Sequence, residues 1–433
     1  MKITIIGSGH VGLVSGLCFA EKGHEVLCVD HDTSKVEKLS RFEPTFHEPG
    51  LEELLTKHKS TGLIRFSTST KEGVAFGQAI FVCVSTPSMA DGNVDMRYFE
   101  AVSRDIAESI DGYKVIVEKS TVPIKTSEKM RRTIERYAPS DVDFDVASNP
   151  EFLREGAAIQ DTMEPDRIVI GTNSERAEKI LREVYSGFDA PIVSTSIHSS
   201  EMIKLASNAF LATRLSFINA IGRICELGGA DVDEVAKGMG LDPRIGPHFL
   251  KAGIGYGGSC FPKDVEGLYH VSAALGYDFE LLREVQLIND DQWYSFVERI
   301  EKELWTLNGK TIALWGASFK PHTDDIREAP AVKIARELVA RGASVRCSDP
   351  VAVANMQREV PEVAEVRDPI AACEGADALV LATEWQEFLE IDPSAVAKVI
   401  RVPLLFDGRN ALDREGWVEA GFEVHSVGRK VQR

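Results

Sequence analysis

The chain has 433 residues, 44% hydrophobic, 27% charged and 8% aromatic, with a formal net charge of −18. That length exceeds one core and predicts two or three domains, and the composition is that of a globular chain rather than a disordered or fibrous one. The negative charge argues against nucleic acid and anionic membranes as partners. No apolar run approaches the roughly 20 residues of a membrane span, and the seven cysteines include no C-x-x-C pair, which excludes a zinc ribbon and a disulfide framework and leaves no metal site in view.

Residues 3–7 (ITIIG) form a short apolar run. It is too short for a signal peptide and predicts a buried first strand in a cytoplasmic protein. Gly7-Ser8-Gly9-His10-Val11-Gly12 follows, then a helical pattern to about Lys22, stopped by Gly23, then a strand over 24–30 (HEVLCVD) that ends in Asp30. This is βαβ order. Further strand patterns at 79–85, 114–120, 144–150 and 167–172 predict a parallel, doubly wound sheet over residues 1–195.

From Ser199 to Gly228 the chain is long, largely apolar and free of proline, with Met202, Leu205, Ala206, Ala209 and Phe210 at helical spacing. The pattern predicts a long central helix that connects domains and offers a dimer interface, opening a helical region over 196–307. Residues 311–316 (TIALWG) repeat the theme of a strand and then a glycine, and strands at 343–349, 376–383 and 403–410 complete a second, smaller α/β domain over 308–433.

Gly7, Gly9 and Gly12 spell G-x-G-x-x-G between a strand and a helix. Such glycines permit a tight turn, close approach of backbone to a pyrophosphate, and close packing of helix on strand, while the helix N-terminus faces the phosphates. A ligand-free glycine turn is the plain alternative, but here Asp30 ends the next strand, where a carboxylate meets ribose hydroxyls. No arginine follows it to meet a 2′-phosphate, so the pattern favours NAD over NADP.

Gly253, Gly255, Gly257 and Gly258 crowd the approach to Ser259-Cys260-Phe261-Pro262-Lys263-Asp264. Pro262 suits a first helical turn, which puts Cys260 just before a helix N-terminus, where the dipole favours a thiolate able to attack an aldehyde carbon. Cys18, Cys28, Cys83, Cys225, Cys347 and Cys373 read instead as small buried packing residues. Lys204 and Asn208 stand at i and i+4 on the central helix and share a face; Lys204 either snorkels to water or stabilises an oxyanion with help from the amide. Glu151 and Glu155 follow a strand and are expected on one face of a first helical turn, either as ordinary N-terminal acids or at the strand ends where ligands bind. The hydroxyls of Ser120 and Thr121 either cap a helix or hold water or a ribose.

The glycine loop at 7–12, STVP at 120–123, NPEFLREG at 149–156, EMIKLASNAF at 201–210, GYGGSCFPKD at 255–264 and FKPHTDDIREAP at 319–330 together resemble the UDP-glucose/GDP-mannose dehydrogenase family, most closely its bacterial UDP-glucose branch. The resemblance covers nearly the whole chain and implies an α/β fold of two Rossmann-like doubly wound domains joined by a long central helix and helical dimerisation region. It implies an NAD-dependent oxidation of UDP-glucose to UDP-glucuronate in two steps, by way of a Cys260 thiohemiacetal and thioester. In that scheme Lys204 and Asn208 stabilise oxyanions, Asp264 positions water and Lys204, and Glu151 and Thr121 orient or activate water.

The same resemblance implies that Gly7, Gly9, Val11, Gly12, Asp30, Lys35, Thr86, Thr121, Glu155, Lys263 and Arg327 surround NAD. It places Phe152, Leu153, Phe249, Leu250, Lys251, Gly253, Gly257 and Lys320 around the nucleotide sugar, with Glu151, Lys204 and Asn208. Arg409 stands near the sugar and Arg244 reaches across a homodimer or higher homo-oligomer. These cations answer the acidity of the chain by reversing the field where a diphosphate binds. Three positions depart from the family pattern: Lys125 replaces a usual glycine, His10 a more common aromatic or small residue, and Ala329 a frequent serine.

Other readings are the same chemistry on GDP-mannose or a UDP-N-acetyl-hexosamine, a one-step dehydrogenase of small hydroxy acids with no role for Cys260, and a non-enzymatic nucleotide-sugar sensor.

Overall fold

Short runs rich in valine, isoleucine and leucine become strands buried on both faces, as parallel sheets require. A computed structural model of the chain describes residues 1–433 apart from 88, 90, 91 and 93. The chain divides into two compact units, Met1–Ser207 with His270–Gly276, and Asn208–Tyr269 with Tyr277–Arg433.

The first unit holds β1 (Lys2–Ile6), β2 (Glu25–Val29), β3 (Ile64–Ser67), β4 (Ala79–Val82), β5 (Lys114–Glu118), β6 (Phe144–Ser148), β7 (Ile168–Gly171) and β8 (Ile192–Thr195). Their order in the sheet is β3-β2-β1-β4-β5-β6-β7-β8. The first six give the 3-2-1-4-5-6 order of a doubly wound dinucleotide fold. Alternation along β1 sends Ile3 and Ile5 to a core shared with Leu13, Leu17 and Phe81, and Ile6 to an opposite core with Leu27, Val82 and Ile116.

One expectation is corrected. The sheet is not parallel throughout, because β6 pairs with β7 antiparallel, Ser148 opposite Gly171. The connection between them holds only the short helix Ala158–Met163. At about 1.5 Å per residue that helix is too short to carry the chain back along a strand, so β7 enters from the end at which β6 leaves.

The second unit holds β9 (Thr311–Trp315), β10 (Ser344–Ser348), β11 (Ala364–Glu365), β12 (Ala378–Leu381), β13 (Leu404–Asp407) and β14 (Glu423–Ser426), all paired parallel. Their order, β11-β10-β9-β12-β13-β14, repeats that of the first unit. The central helix spans Ile197–Gly228. Ser196 Oγ accepts from Ser199 N at its start, and Gly229 ends it at φ 78°. Among the described residues no helix is long and apolar enough to cross a membrane.

Candidate active site

The glycine loop lies between β1 and the helix His10–Glu21. Each glycine has its own reason. Gly7 takes φ 99°, and a Cβ there would lie 2.5 Å from the Cys83 carbonyl oxygen. A Cβ at Gly12 would collide with the Gly7 carbonyl oxygen, whereas a Cβ at Gly9 would meet nothing within 4 Å. Two glycines therefore close the turn and the third leaves open space at a helix N-terminus, the cradle a pyrophosphate needs. Ser8 Oγ is buried there and has no hydrogen-bond partner among the described residues.

Asp30 is 5% exposed and accepts from Ser8 N at 2.8 Å, Asp32 N at 3.1 Å and Lys35 Nζ at 3.1 Å. Burial opposes its ionisation, but these amides and the ammonium outweigh burial and hold the carboxyl below its usual range. Thr86 Oγ1 donates to the Thr121 carbonyl at 2.9 Å, tying together the loops after β4 and β5. The loop with the Asp30–Lys35 pair beside it is a set of residues that fits NAD.

Asp349, at the end of β10, is the counterpart of Asp30 in the second unit. Its oxygens already accept from the amides of Ala317, Ser318, Val351 and Ala352 and from the Trp385 indole. A carboxylate so occupied offers nothing to a ribose, so the repeated strand and glycine do not make a second dinucleotide site.

Lys204 does not snorkel. It is 4% exposed, and its Nζ lies 2.8 Å from Glu151 Oε1 and 5.6 Å from the centre of the Phe152 ring. Glu151 Oε2 accepts from Leu153 N at 3.0 Å. The expected helical turn is absent here: residues 151–154 are irregular and the helix begins only at Ala158, because Gly156 at φ 78° breaks the helical path. Glu155 is buried. The next residues are held by Glu48, which accepts from Gly156 N and Ala158 N at 2.7 Å each. Ser120 and Thr121 are not caps, since the following helix starts at Thr126 behind Lys125.

In the second unit, Cys260 directly precedes the helix Phe261–Ala274. It is half-buried, while the other six cysteines are buried. Desolvation raises the thiols of Cys18 and Cys83 to about 12, which leaves them inert. Asp264 N donates to the Cys260 carbonyl at 2.8 Å. The Asp264 carboxylate, 1% exposed, accepts from Asn208 Nδ2 at 2.6 Å and Lys263 Nζ at 2.6 Å. Asn208 thus keeps one amide N–H beyond the bond to Asp264. A Cβ at Gly257 would collide with the Glu328 carbonyl, and one at Gly253 would lie 2.9 Å from the Gly408 carbonyl. Gly258 N donates to the Arg327 carbonyl at 2.9 Å.

Arg409 is almost buried and donates to the carbonyls of Ala382, Gly255 and Phe319 at 2.7, 3.0 and 3.1 Å. It holds the glycine loop before Cys260, a structural duty the sequence did not indicate. Arg327 pairs with Asp325. Arg244 pairs with Asp242 and is 87% exposed. Phe249 takes φ 58° with its ring 6.2 Å from that of Phe261, Leu250 is buried, Lys251 is exposed and Lys320 is half-buried. Val11 is half-buried against the first core.

Sequence reasoning passed over Glu48, Glu118, Lys119 and Glu201, all at most 6% exposed. The available signal was charge at the end of an apolar strand, VIVEKS at 115–120, where a residue of that kind is rarely buried unless paired.

Fold and loop define a dinucleotide-dependent dehydrogenase class, with a thiol at a helix start as its second mark. Residues 1–189 match the NAD binding domain of the UDP-glucose/GDP-mannose dehydrogenase family, 198–291 its central domain and 313–414 its UDP binding domain. The chain belongs to that family, and NAD is its cofactor. It is 45% identical over 431 residues to the UDP-glucose 6-dehydrogenase YwqF of Bacillus subtilis, covering 99% of this chain and 98% of that one. A UDP-glucose dehydrogenase structure from the archaeon Pyrobaculum islandicum matches with a TM-score of 0.93 at 37% identity over 99% and 98% of the two chains. A UDP-D-ManNAc dehydrogenase structure from Pyrococcus horikoshii matches with a TM-score of 0.88 at 27% identity over 99% of each.

Proposed function

We propose that the protein oxidises UDP-glucose to UDP-glucuronate, taking the sugar C6 alcohol to a carboxylate in two successive oxidations. NAD, when bound, accepts a hydride in each. The observation that carries this reading is Cys260 at a helix start one turn before a buried Asp264 that Asn208 and Lys263 both grip, in a chain 45% identical to a UDP-glucose 6-dehydrogenase.

The Cys260 thiolate adds to the C6 aldehyde to give a thiohemiacetal, whose oxidation leaves a thioester for water to hydrolyse. Asp264 fixes the Asn208 amide so that its remaining N–H meets the oxyanion, and Lys204 supplies a second, charged donor. Glu151, paired with Lys204 at 2.8 Å, orients the hydrolytic water and accepts its proton, with Thr121 beside it. Gly7, Gly9, Gly12, Asp30, Lys35, Thr86, Glu155, Lys263 and Arg327 serve NAD. Phe152, Leu153, Phe249, Leu250, Lys251, Gly253, Gly257 and Lys320 serve the nucleotide sugar, with Arg409 holding the loop beneath them.

The enzyme acts in the cytoplasm as a homodimer or higher homo-oligomer, with Arg244 offered to the neighbouring copy. Phe210, Phe217 and Ile224 recur every seventh residue on the central helix and are 61%, 48% and 63% exposed, an apolar stripe that a second copy would cover. Sedimentation velocity should find Phe217→Glu dissociated where the native chain is not; an unchanged sedimentation coefficient would reject this interface.

NADH release with UDP-glucose, GDP-mannose and UDP-N-acetylmannosamine offered separately tests the substrate. Two NADH per UDP-glucose, with a uronic acid product, supports the reading. Two NADH from another sugar alone would transfer the chemistry to that sugar.

A further inference from the structure

Lys119 immediately follows β5 and is 6% exposed, yet among the described residues its hydrogen-bond partners are all neutral. Its Nζ lies 3.0 Å from Asn149 Oδ1, 3.4 Å from the Asn149 carbonyl and 3.4 Å from the Tyr185 hydroxyl. A buried ammonium without a carboxylate in contact is costly. The chain nevertheless builds a full cage around it: Tyr185 Oη donates to Asn149 Oδ1, Asn149 Nδ2 donates to the Val169 carbonyl at 2.8 Å, and Asn149 N donates to the Glu118 carbonyl at 2.8 Å. Asn149 is thereby fixed at every polar atom. It leads through Pro150, with its restricted φ, straight into Glu151.

We infer that Lys119 is a positioning residue for Glu151, anchoring Asn149 so that the Glu151 carboxylate holds the geometry that thioester hydrolysis requires. The inference rests on the hydrolytic role of Glu151 proposed above. In that step the water oxygen adds to the thioester carbonyl carbon, a water proton passes to the Glu151 carboxylate, the C–S bond breaks, and sulfur leaves with the electron pair as the Cys260 thiolate. Loosening Glu151 slows this step while the two oxidations that precede it continue.

The test is Lys119→Met in the full-length protein with UDP-glucose and NAD, followed by stopped flow and by intact mass after acid quench. The expected result is a burst of roughly two NADH per active site, then steady turnover reduced on the order of 10- to 100-fold. A covalent sugar adduct accumulates on Cys260, and KM for UDP-glucose stays near the native value. Native turnover, or a loss of turnover without burst or adduct, overturns the inference. Glu151→Gln is run alongside: if it traps no adduct, the hydrolytic role of Glu151 fails, whereas trapping by Glu151→Gln but not by Lys119→Met rejects Lys119 alone. Should Lys119→Met not fold, Tyr185→Phe removes a donor to Asn149 Oδ1 without touching a charge and is expected to give a smaller burst of the same kind; no burst there rejects the inference.

Discussion

The Lys204 ammonium and the Glu151 carboxylate stand 2.8 Å apart, each side chain only 5% exposed. Removing one partner of such a pair strands a buried charge, at a cost of about 3–5 kcal/mol. Lys204→Ala and Glu151→Ala are each expected to lose stability of that order, and the double variant to regain a large part of it. Activity follows a different rule: kcat falls on the order of 10²- to 10³-fold in Lys204→Ala, as for loss of an oxyanion donor, and the double variant does not recover it. Denaturant unfolding and steady-state rates on the four proteins check this; strictly additive stability losses would contradict the pair.

The glycine loop separates folding from binding residue by residue. Gly12→Ala drives a methyl into the Gly7 carbonyl and is expected to destabilise the first unit by about 1–3 kcal/mol or more. Gly9→Ala meets nothing within 4 Å, so its stability is expected within about 0.5 kcal/mol of native. Its methyl fills the space a pyrophosphate approaches, and KM for NAD is expected to rise on the order of tenfold, about 1.4 kcal/mol. Thermal melts and NAD titration of rates check both; an unchanged KM in Gly9→Ala would move the pyrophosphate elsewhere.

Glu118 and Glu201 form a buried carboxyl pair, 2% and 3% exposed. Ser127 Oγ donates to Glu118 at 2.8 Å, while Glu201 accepts from the amides of Lys125 and Ser127 at 2.7 and 3.0 Å. Burial first, then the neighbouring Glu201 carboxylate, push the Glu118 pKa well above the ordinary value. A folded-state pKa raised above the unfolded one gives stability that is complete below the unfolded pKa, about 4.3, and is lost as pH rises through the folded value. Glu118→Gln keeps the neutral shape and removes the titration. Between the two pKa values the native protein is expected to lose stability more steeply than this variant, by about 1.4 kcal/mol per pH unit. Urea unfolding from pH 5 upward measures the slopes, and equal slopes would refute the shift.

The parts legible in the sequence are those that local rules govern. Gly7 and Gly12 are required by the turn itself and Gly9 by the space left for a ligand, Asp30 is marked by the end of its strand, and Cys260 by the proline and glycines around it. Lys204 was readable as a helix residue, but its partner Glu151 lies far along the chain, and no periodicity reports a contact of that kind. The reversal at β7 was hidden because a strand pattern carries no direction. Lys125, flagged because glycine is usual there, adopts φ 74°, the conformation glycine favours. That costs an L-residue about 1–2 kcal/mol, and the bond from Lys125 N to Glu201 helps to offset it. Lys119 and Glu118 were passed over because neighbouring residues at a strand end point to opposite faces, and only the fold shows what waits on each.

In the proposed reaction Cys260 carries the sugar covalently between alcohol and acid. Cys260→Ala, incubated with UDP-glucose and NAD, tests it most directly, with product analysis and intact mass of the quenched protein beside the native enzyme. The expected result is a sugar adduct on native Cys260, no adduct on the variant, and no UDP-glucuronate from the variant. UDP-glucuronate formed by Cys260→Ala at the native rate would contradict it.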